Sequence, residues 1–475
     1  MSIVTYHPAA DALRRSASRL AGVTLLLAAA AAPRPSAAQP GTSALASGAR
    51  PRAVADTSVF APLVLPAATE QRAGSGAPGA RYWQNRADYT LSATLDTAAK
   101  RVVGALTLRY TNRSPDTLRF MWLQVEQNAF RDNSLNALIF PEASRFGARG
   151  FAGGYTFSRL DQLIAPPKGG APKGGAPKGG APKRVALTKR VDDTMMKVDF
   201  AEPLAPGRTA VLDMAWSFLV PEHGADRMGR DGALYEIAQW FPRAAVYDDV
   251  RGWNIEPYLG QGEFYLDYGD YSLAVTVPAG YIVAATGALQ NAREVLTPVQ
   301  RARHAAAATS DTVVRIITAE DLADGTARPR AGGTTTWRFS AKNVRDAVWA
   351  ASPDYQWDAA SWQGIMAYAY YRPSAAVNWH DAADQSRQSI MEYSERWFRY
   401  PWPQISAVEG PISGMEYPMV AMENISHDIY DLFNVVTHEI GHMWFPMLVG
   451  SNERTAMWQD EGFNTFINTF AEARR

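Results

Sequence analysis

The sequence His438-Glu439-Ile440-Gly441-His442 lies within an apolar run, residues 432–445, near the C-terminal end of the chain. A run of this kind predicts a helix, and two histidines four residues apart then leave the same helical face. Both imidazoles can therefore bind one metal ion. Glu439 is rotated off that face but stays within reach of a water on the metal, for which a carboxylate is a suitable general base.

The spacing of these residues is the H-E-x-x-H signature of a zinc site, which needs a third protein ligand and keeps a fourth position open. Glu461 follows His442 after 18 intervening residues, in the sequence Trp-Gln-Asp-Glu-Gly-Phe that opens another helix-like run. We therefore expect one Zn²⁺ on His438, His442 and Glu461. The alternative is a helix with two unrelated histidines, and Glu461 at this spacing disfavours it.

Together these motifs resemble the aminopeptidase N family of zinc metallopeptidases, the gluzincin group with the pattern H-E-x-x-H-x18-E. The resemblance covers roughly residues 82–475. It implies a zinc-dependent aminopeptidase that hydrolyses the N-terminal peptide bond of peptides with a free N-terminus, using a metal-activated water and Glu439 as general base. In the family a transition-state tyrosine and a helical domain follow the third ligand. This chain ends at Arg475, so we expect a catalytic domain truncated before its C-terminal part.

The resemblance also implies substrate-binding residues. Gly414-Met415-Glu416 resembles the family's G-x-M-E-N strand, whose glutamate binds the free α-amine of the substrate. Tyr417 stands where the family has asparagine, and Glu423, within Ala-Met-Glu-Asn, matches the letters better. We prefer Glu416, because the following proline and its distance from His438 fit the family arrangement. For either glutamate the alternative is a surface carboxylate at a strand end.

In the resembled family the N-terminal β domain supplies a glutamine that helps to line the substrate pocket. Gln239, in the aromatic and glycine-rich block 238–264, is the candidate by position. A solvent-facing glutamine at the end of a strand is the equally acceptable alternative.

Two other functions are compatible with the same motifs. One is a non-catalytic binding module or inactive fragment with this fold. Non-catalytic relatives generally lose zinc ligands or the general base, whereas this chain has all four residues: His438, Glu439, His442 and Glu461. The other is a zinc endopeptidase, which would not need Glu416. The sequence predicts no particular oligomeric state.

Composition limits the partners. The chain has 475 residues, 47% of them hydrophobic, which suits two or three domains. Its 47 basic and 47 acidic residues cancel, so nothing in the charge favours nucleic acid or an anionic membrane surface. It has no cysteine, which excludes disulfides and thiolate ligands.

The first 38 residues predict an export signal. Arg14, Arg15 and Arg19 precede an apolar segment, residues 20–32, which is too short to span a bilayer, and residues 36–38 form a small-residue cleavage site. We therefore expect a periplasmic or secreted protein with no membrane span after cleavage. An uncleaved anchor is the alternative. Residues 39–80, rich in Ala, Pro, Gly and Ser, predict a flexible tether.

Alternating apolar residues, such as Tyr89, Leu91 and Leu95, predict short strands between residues 81 and 300. We expect an antiparallel β domain of saddle-like or sandwich-like form, with a low-complexity insert at 165–184 whose Gly-Gly-Ala-Pro-Lys repeats predict a solvated loop. Residues 301–475 are expected to form an incomplete thermolysin-like α+β domain, since 381–398 shows helical spacing ended by prolines.

Overall fold

The structure, a computed structural model, describes residues 67–142, 144, 146–147, 150–165, 181–327, 332–424 and 429–474. The expected export signal, residues 39–66 of the expected tether and residues 166–180 of the repeat insert lie outside this part of the chain. The end of the expected tether is described, and there Arg72 pairs with Asp249 through Nε and Oδ2 at 2.7 Å.

Strands dominate the first three quarters of the described chain. They are β1 (Arg86–Asp96), β2 (Arg101–Thr111), β3 (Leu118–Gln124), β4 (Thr156–Ile164), β5 (Lys183–Ala186), β6 (Lys189–Asp192), β7 (Met195–Leu204), β8 (Thr209–Leu219), β9 (Met228–Asp231), β10 (Leu234–Ile237), β11 (Arg243–Ala244), β12 (Tyr247–Asp248), β13 (Gly252–Trp253), β14 (Gly269–Pro278), β15 (Ile282–Ala285), β16 (Ala288–Leu289), β17 (Val314–Ile317), β18 (Thr334–Val344), β19 (Trp349–Ser352), β20 (Gln356–Trp362), β21 (Ile365–Tyr371), β22 (Gln404–Gly410), β23 (Met415–Tyr417) and β24 (Val420–Asn424).

Among the described residues, the helices of more than ten residues lie in the C-terminal quarter of the chain. The helices are α1 (Leu135–Ile139), α2 (Ala292–Val295), α3 (Pro298–Ala307), α4 (Ala319–Ala323), α5 (Ala376–Trp379), α6 (Ala382–Arg396), α7 (Ile429–Gly441), α8 (Glu453–Ala456) and α9 (Trp458–Glu472), with 3-10 turns at Glu126–Phe130 and Pro373–Ala375. No helix in the ranges described above is long and apolar enough to cross a membrane.

The largest sheet has eight strands in the order β16-β18-β14-β1-β2-β8-β4-β5. Its strands alternate as the sequence predicts: in β1, Tyr89, Leu91 and Ala93 are buried while the residues between them are exposed. Tyr89 stacks on Tyr271, its partner in β14, with ring centroids 4.8 Å apart. A sheet-rich fold with one buried face per strand is therefore confirmed for this region.

The expectation of an antiparallel domain is wrong at one pairing. β1 and β14 run parallel, whereas β1 and β2 run antiparallel. Parallel neighbours need a long crossover connection, and the chain between β1 and β14, which includes all of β2–β13, provides one. The alternating pattern within each strand carries no information about this direction.

The strands also pass between sheets late in the chain. β17 belongs to a six-stranded sheet in the order β17-β20-β21-β22-β24-β23, yet the next strand, β18, returns to the eight-stranded sheet and pairs with β14. Residues on both sides of position 300 therefore share a sheet. The division into domains at that position stays a prediction.

The six-stranded sheet positions the functional residues. α6 packs on β20–β22, and α7 packs on β24. Hydrogen bonds join α6 to α7: Ser389 Oγ lies 2.9 Å from Thr437 Oγ1, and Tyr393 donates to the Thr437 carbonyl at 3.0 Å. The helix predicted at 381–398 is thus present as α6, and it holds α7 beside the ends of β23 and β24.

Candidate metal centre and active site

α7 carries His438 and Glu439, and His442 follows one residue after its last helical residue. The backbone N–H of His442 still donates to the His438 carbonyl at 3.3 Å, so the helical turn between the two histidines is kept. After Gly441 the chain continues in tighter turns, because the Met443 N–H donates to the Ile440 carbonyl at 3.0 Å and the Trp444 N–H to the Gly441 carbonyl at 2.9 Å.

Three side-chain atoms converge beside this turn. Nε2 of His438 lies 3.1 Å from Nε2 of His442 and 3.3 Å from Oε2 of Glu461. The third distance, from His442 Nε2 to Glu461 Oε2, is 3.7 Å. Glu461 stands in the first turn of α9 and is 58% exposed, so the group opens to solvent on its side. The structure thus brings together the three predicted ligands.

The other nitrogen of His442 is held inside the protein. Nδ1 lies 2.8 Å from the Phe445 carbonyl oxygen, which suits an N–H at that position, and Oδ1 of Asp460 lies at ion-pair distance, also 2.8 Å. Protonated Nδ1 leaves the lone pair on Nε2, which is the nitrogen in the convergent group. Sequence reasoning missed Asp460, although it directly precedes Glu461.

His438 is oriented by the amide of Asn468. The amide nitrogen position lies 2.7 Å from His438 Nδ1, and its oxygen accepts from the Tyr393 hydroxyl at 2.9 Å. The two ends of an amide are interchangeable in shape. With the amide turned over, His438 Nδ1–H donates to its oxygen, the lone pair stays on Nε2, and Tyr393 still donates to the Thr437 carbonyl.

One face of α9 faces α7. Glu461, Asn464 and Asn468 have the spacing i, i+3 and i+7, which places them on the same side of a helix, and Asn464 Nδ2 donates to the His438 carbonyl at 2.8 Å. A side chain at Gly441 would occupy the space of the Asn464 oxygen, so glycine is required there. This spacing in the sequence is the signal that would have found Asn464 and Asn468.

Glu439 is buried beside the convergent group. It is 3% exposed, and its Oε2 has no hydrogen-bond partner among the described residues. Burial, together with the nearby charge of Glu423, raises the pKa of Glu439 well above the ordinary value for a glutamate. Its Oε1 lies against Gly414, 3.6 Å from where a Cβ would be, and Gly414 has the left-handed φ of +67°.

The segment predicted to bind substrate borders Glu439. Met415 and Glu416 lie in β23, both buried, and β23 pairs antiparallel with β24. The carboxylates of Glu416 and Asp460 lie within 4.8 Å of a His442 ring nitrogen and of each other. Burial raises the pKa of Glu416 to about 7, against the opposing effect of His442. These two carboxylates in turn raise the pKa of His442, although burial lowers it.

Glu423, the second candidate for the amine-binding residue, has a different position. Its Oε2 accepts a hydrogen bond from the Gly414 backbone at 3.2 Å. Burial raises the pKa of Glu423 to about 8. Glu423 therefore anchors the turn before Met415 through this hydrogen bond, whereas Glu416 lies beside His442.

Gln239 lies in the interior, which removes the alternative of a solvent-facing glutamine. It is 3% exposed with a left-handed φ of +47°, and its carbonyl accepts from Gln127 and from Tyr155, each at 3.0 Å. Its side chain contacts the Tyr258 hydroxyl, which donates to Asp226 at 2.5 Å.

The donors fit a divalent cation. The two histidines are surrounded by Glu461 and by three buried acidic residues, Glu416, Glu439 and Asp460. When ionised, these carboxylates repel one another in a water-poor interior, and a bound cation would offset that repulsion. Two imidazole nitrogens and a carboxylate oxygen are ligands that zinc prefers. Among the described residues, this group and the overlapping set of Glu416, His442 and Asp460 are the two arrangements suited to a metal.

The fold is similar to solved structures of M1 zinc metallopeptidases. One from Deinococcus radiodurans is 14% identical with a TM-score of 0.47, over 84% of this chain and 73% of that one. A glutamate-to-alanine mutant of that enzyme, bound to the substrate Tyr-Ser-Ala, is 14% identical with a TM-score of 0.48, over 82% and 72%. No protein-family model matches the chain. A search of curated proteins finds no match either.

Proposed function

We propose that the chain is a zinc-dependent aminopeptidase that removes the N-terminal residue of peptides. One observation carries the proposal: Nε2 of His438, Nε2 of His442 and Oε2 of Glu461 lie 3.1–3.7 Å apart, with the buried Glu439 beside them. Zinc bound tetrahedrally at about 2.0–2.2 Å holds its ligand atoms about 3.3–3.6 Å apart. The three distances between these ligand atoms, 3.1, 3.3 and 3.7 Å, span that range.

Each of the two histidine ligands is oriented by neighbouring polar groups. Asp460 and the Phe445 carbonyl hold His442, and Asn468 holds His438, so both rings present Nε2. Zinc, when bound, supplies Lewis-acid polarisation of the scissile carbonyl. No cysteine competes as a ligand, because the chain has none.

Glu439 is the proposed general base. Its position beside the convergent group suits a group that takes a proton from an attacking water and gives it to the leaving amine. A carboxylate with an unpartnered oxygen is free to accept that proton. Glutamine at this position keeps the size and loses the basicity.

Glu416 is the proposed partner of the substrate's ammonium group. It is buried beside His442, where a carboxylate interacts strongly with a positive charge. Gly414 and Met415 belong to the segment that places Glu416, and Gly414 lets the backbone approach Glu439 closely. Binding of the free amine next to the metal fixes the first peptide bond as the one cleaved. Gln239 is proposed to line the same pocket through Tyr258.

The first experiment is elemental analysis of the purified chain, paired with hydrolysis of a panel of aminoacyl chromogenic substrates. We expect one zinc per chain and turnover that a chelator abolishes. Zinc without turnover would support a non-catalytic binding module or an inactive fragment, and absence of zinc would overturn the proposal.

Variants then separate the roles. Glu439→Gln should keep zinc and lose hydrolysis, whereas Glu461→Gln should lose zinc. Glu472→Gln, exposed on the same helix α9, is the matched control and should change neither. N-acetylated substrates should be resistant, and Glu416→Gln should raise KM for free-amine substrates. Cleavage of N-acetylated peptides at internal bonds would support the endopeptidase instead.

We also propose that the chain is exported, because arginines precede a short apolar segment and a small-residue cleavage site. Cell fractionation with mass determination of the N-terminus tests this. A mature chain that begins at Gln39 in the periplasm or medium supports export, and an intact N-terminus in the cytoplasm overturns it.

A further inference from the structure

A cavity lies where three sheets meet. Its volume is about 250 Å³, and its walls come from β15 of a four-stranded sheet, β16 and β18 of the eight-stranded sheet, and β20–β22 of the six-stranded sheet. We call it the aromatic cavity, after six of its lining residues: His304, Trp337, Phe339, Trp357, Tyr368 and Tyr370. It shares no lining residue with the proposed metal centre.

The strand pattern builds one wall. Met366, Tyr368 and Tyr370 alternate along β21, so all three side chains point to the same face of the sheet. Tyr370 is the register partner of Trp357 in β20, and their rings stack with centroids 5.1 Å apart and an interplanar angle of 23°. Tyr368 meets the same indole edge-on at 5.4 Å. These mutually packed rings form a rigid aromatic wall against which another aromatic ring can pack.

The cavity excludes charged ligands. Its lining residues include no Asp, Glu, Lys or Arg. His304 is the one titratable group near neutral pH among them, and burial lowers its pKa, so the imidazole is neutral. Its Nε2 lies 2.8 Å from the Tyr368 hydroxyl, which occupies both groups. A charged molecule would lose its hydration here without gaining a counter-charge.

Several hydrogen-bond donors in the wall have no acceptor. Tyr370 is 4% exposed, and its hydroxyl makes no hydrogen bond within the part of the chain that the structure describes. The indole N–H groups of Trp337 and Trp357 have no partner there either. A buried indole N–H without an acceptor is costly, and an acceptor atom on a bound molecule would remove that cost. The Tyr370 hydroxyl is not fully enclosed, and it would gain a partner from the same molecule.

We propose that the aromatic cavity binds a small, uncharged, planar aromatic molecule that carries a hydrogen-bond acceptor and contacts Tyr370. Aromatic and apolar contact with the ring wall supplies most of the affinity, and the acceptor selects the orientation. A bicyclic heteroaromatic lactone has the required shape. Binding at this site does not depend on peptidase activity or on zinc.

Calorimetric titration of the full chain with coumarin tests the proposal, because coumarin is planar, uncharged and has a carbonyl acceptor. We expect saturable binding of one molecule per chain, and none of coumarin-3-carboxylate, which has the same rings with a negative charge. Absence of coumarin binding, or equal binding of the carboxylate, overturns the proposal.

Three variants locate the site. Ala288→Phe fills the cavity and should abolish binding, with Ala292→Phe as a second filling variant should the first fail to fold. Tyr370→Phe keeps the ring and removes the hydroxyl, and should weaken binding about threefold to tenfold. Tyr281→Phe, which removes a half-buried hydroxyl outside the cavity lining, is the control and should bind as the natural chain does. Unchanged binding in the filling variants, or in Tyr370→Phe, contradicts the assignment.

Discussion

The backbone N–H of Gly414 donates to Oε2 of Glu423 at 3.2 Å. This bond ties β24 to the turn that precedes Met415 and Glu416, and it places Gly414 against the carboxylate of Glu439. The side chain of Glu423 therefore anchors this turn to β24.

Removal of this carboxylate should misplace the amine-binding residue. We expect Glu423→Ala to lower kcat/KM for free-amine substrates by about 10- to 100-fold, because the turn that positions Glu416 loses its anchor. Glu423→Gln keeps an acceptor and should lose less. Steady-state kinetics measure the effect, and zinc content should stay at the natural level. Equal losses in both variants would show that the charge, rather than the hydrogen bond, matters.

Gly441→Ala should destabilise the chain by about 1–3 kcal/mol, because the added methyl group overlaps the Asn464 side chain. Urea unfolding measures the change. Asn464→Ala in the same chain opens the space and should recover part of the loss, although it also removes the bond to the His438 carbonyl. If the double variant is no more stable than Gly441→Ala alone, the overlap is not the cause.

Asp460→Asn should weaken zinc binding about 10- to 100-fold, since a neutral amide orients and polarises the His442 ring less than a carboxylate does. Competition with a fluorescent chelator gives the affinity. Glu472→Gln, also on α9, provides the control with unaltered affinity. An Asp460→Asn variant with natural zinc affinity would remove Asp460 from the site.

The stability of the folded chain should fall as pH rises from about 4 to 7. Burial raises the pKa of Asp267 to about 7, despite the opposing charge of Arg345. Between the ordinary aspartate pKa and this value the folded chain keeps a proton that the unfolded chain has lost, so the contribution to the slope is at most about 1.4 kcal/mol per pH unit.

Asp267→Asn should remove that contribution. Urea unfolding at pH 5 and pH 7.5 compares the two chains, and the variant should gain stability relative to the natural chain at the higher pH. Asp249→Asn is unsuitable as a control, because Asp249 pairs with Arg72. Asp311→Asn, at an exposed aspartate, is the control and should leave the slope unchanged. Parallel pH profiles for the natural chain and Asp267→Asn would contradict the prediction.

Local patterns predicted the elements well. Alternation of buried and exposed residues gave β1 and β2, and helical spacing gave α6, because burial of one face leaves a period in the sequence. The convergence of His438 and His442 was expected from their helical spacing, and Glu461 was expected to join them from the family resemblance. Their roles in binding zinc stay a prediction.

Long-range relationships left no such trace. The parallel pairing of β1 with β14 and the alternation of β17 and β18 between sheets depend on contacts between distant segments. Asp460 was missed because a single buried aspartate has no pattern of its own. Glu423 was considered only for the letters around it, and its bond to Gly414 depends on the pairing of β23 with β24.

The pairing of β1 with β14 also governs how the chain folds. Asp88 in β1 accepts a hydrogen bond from the backbone N–H of Asp270 in β14, although the two residues are 182 positions apart in the sequence. Closure of so long a loop costs entropy before any contact compensates for it, so this step is slow. Until the ribosome has produced β14, one edge of β1 keeps its backbone groups unpaired and open to a strand from another molecule. Completion of the large sheet is therefore the stage at which a newly made chain is most prone to aggregate.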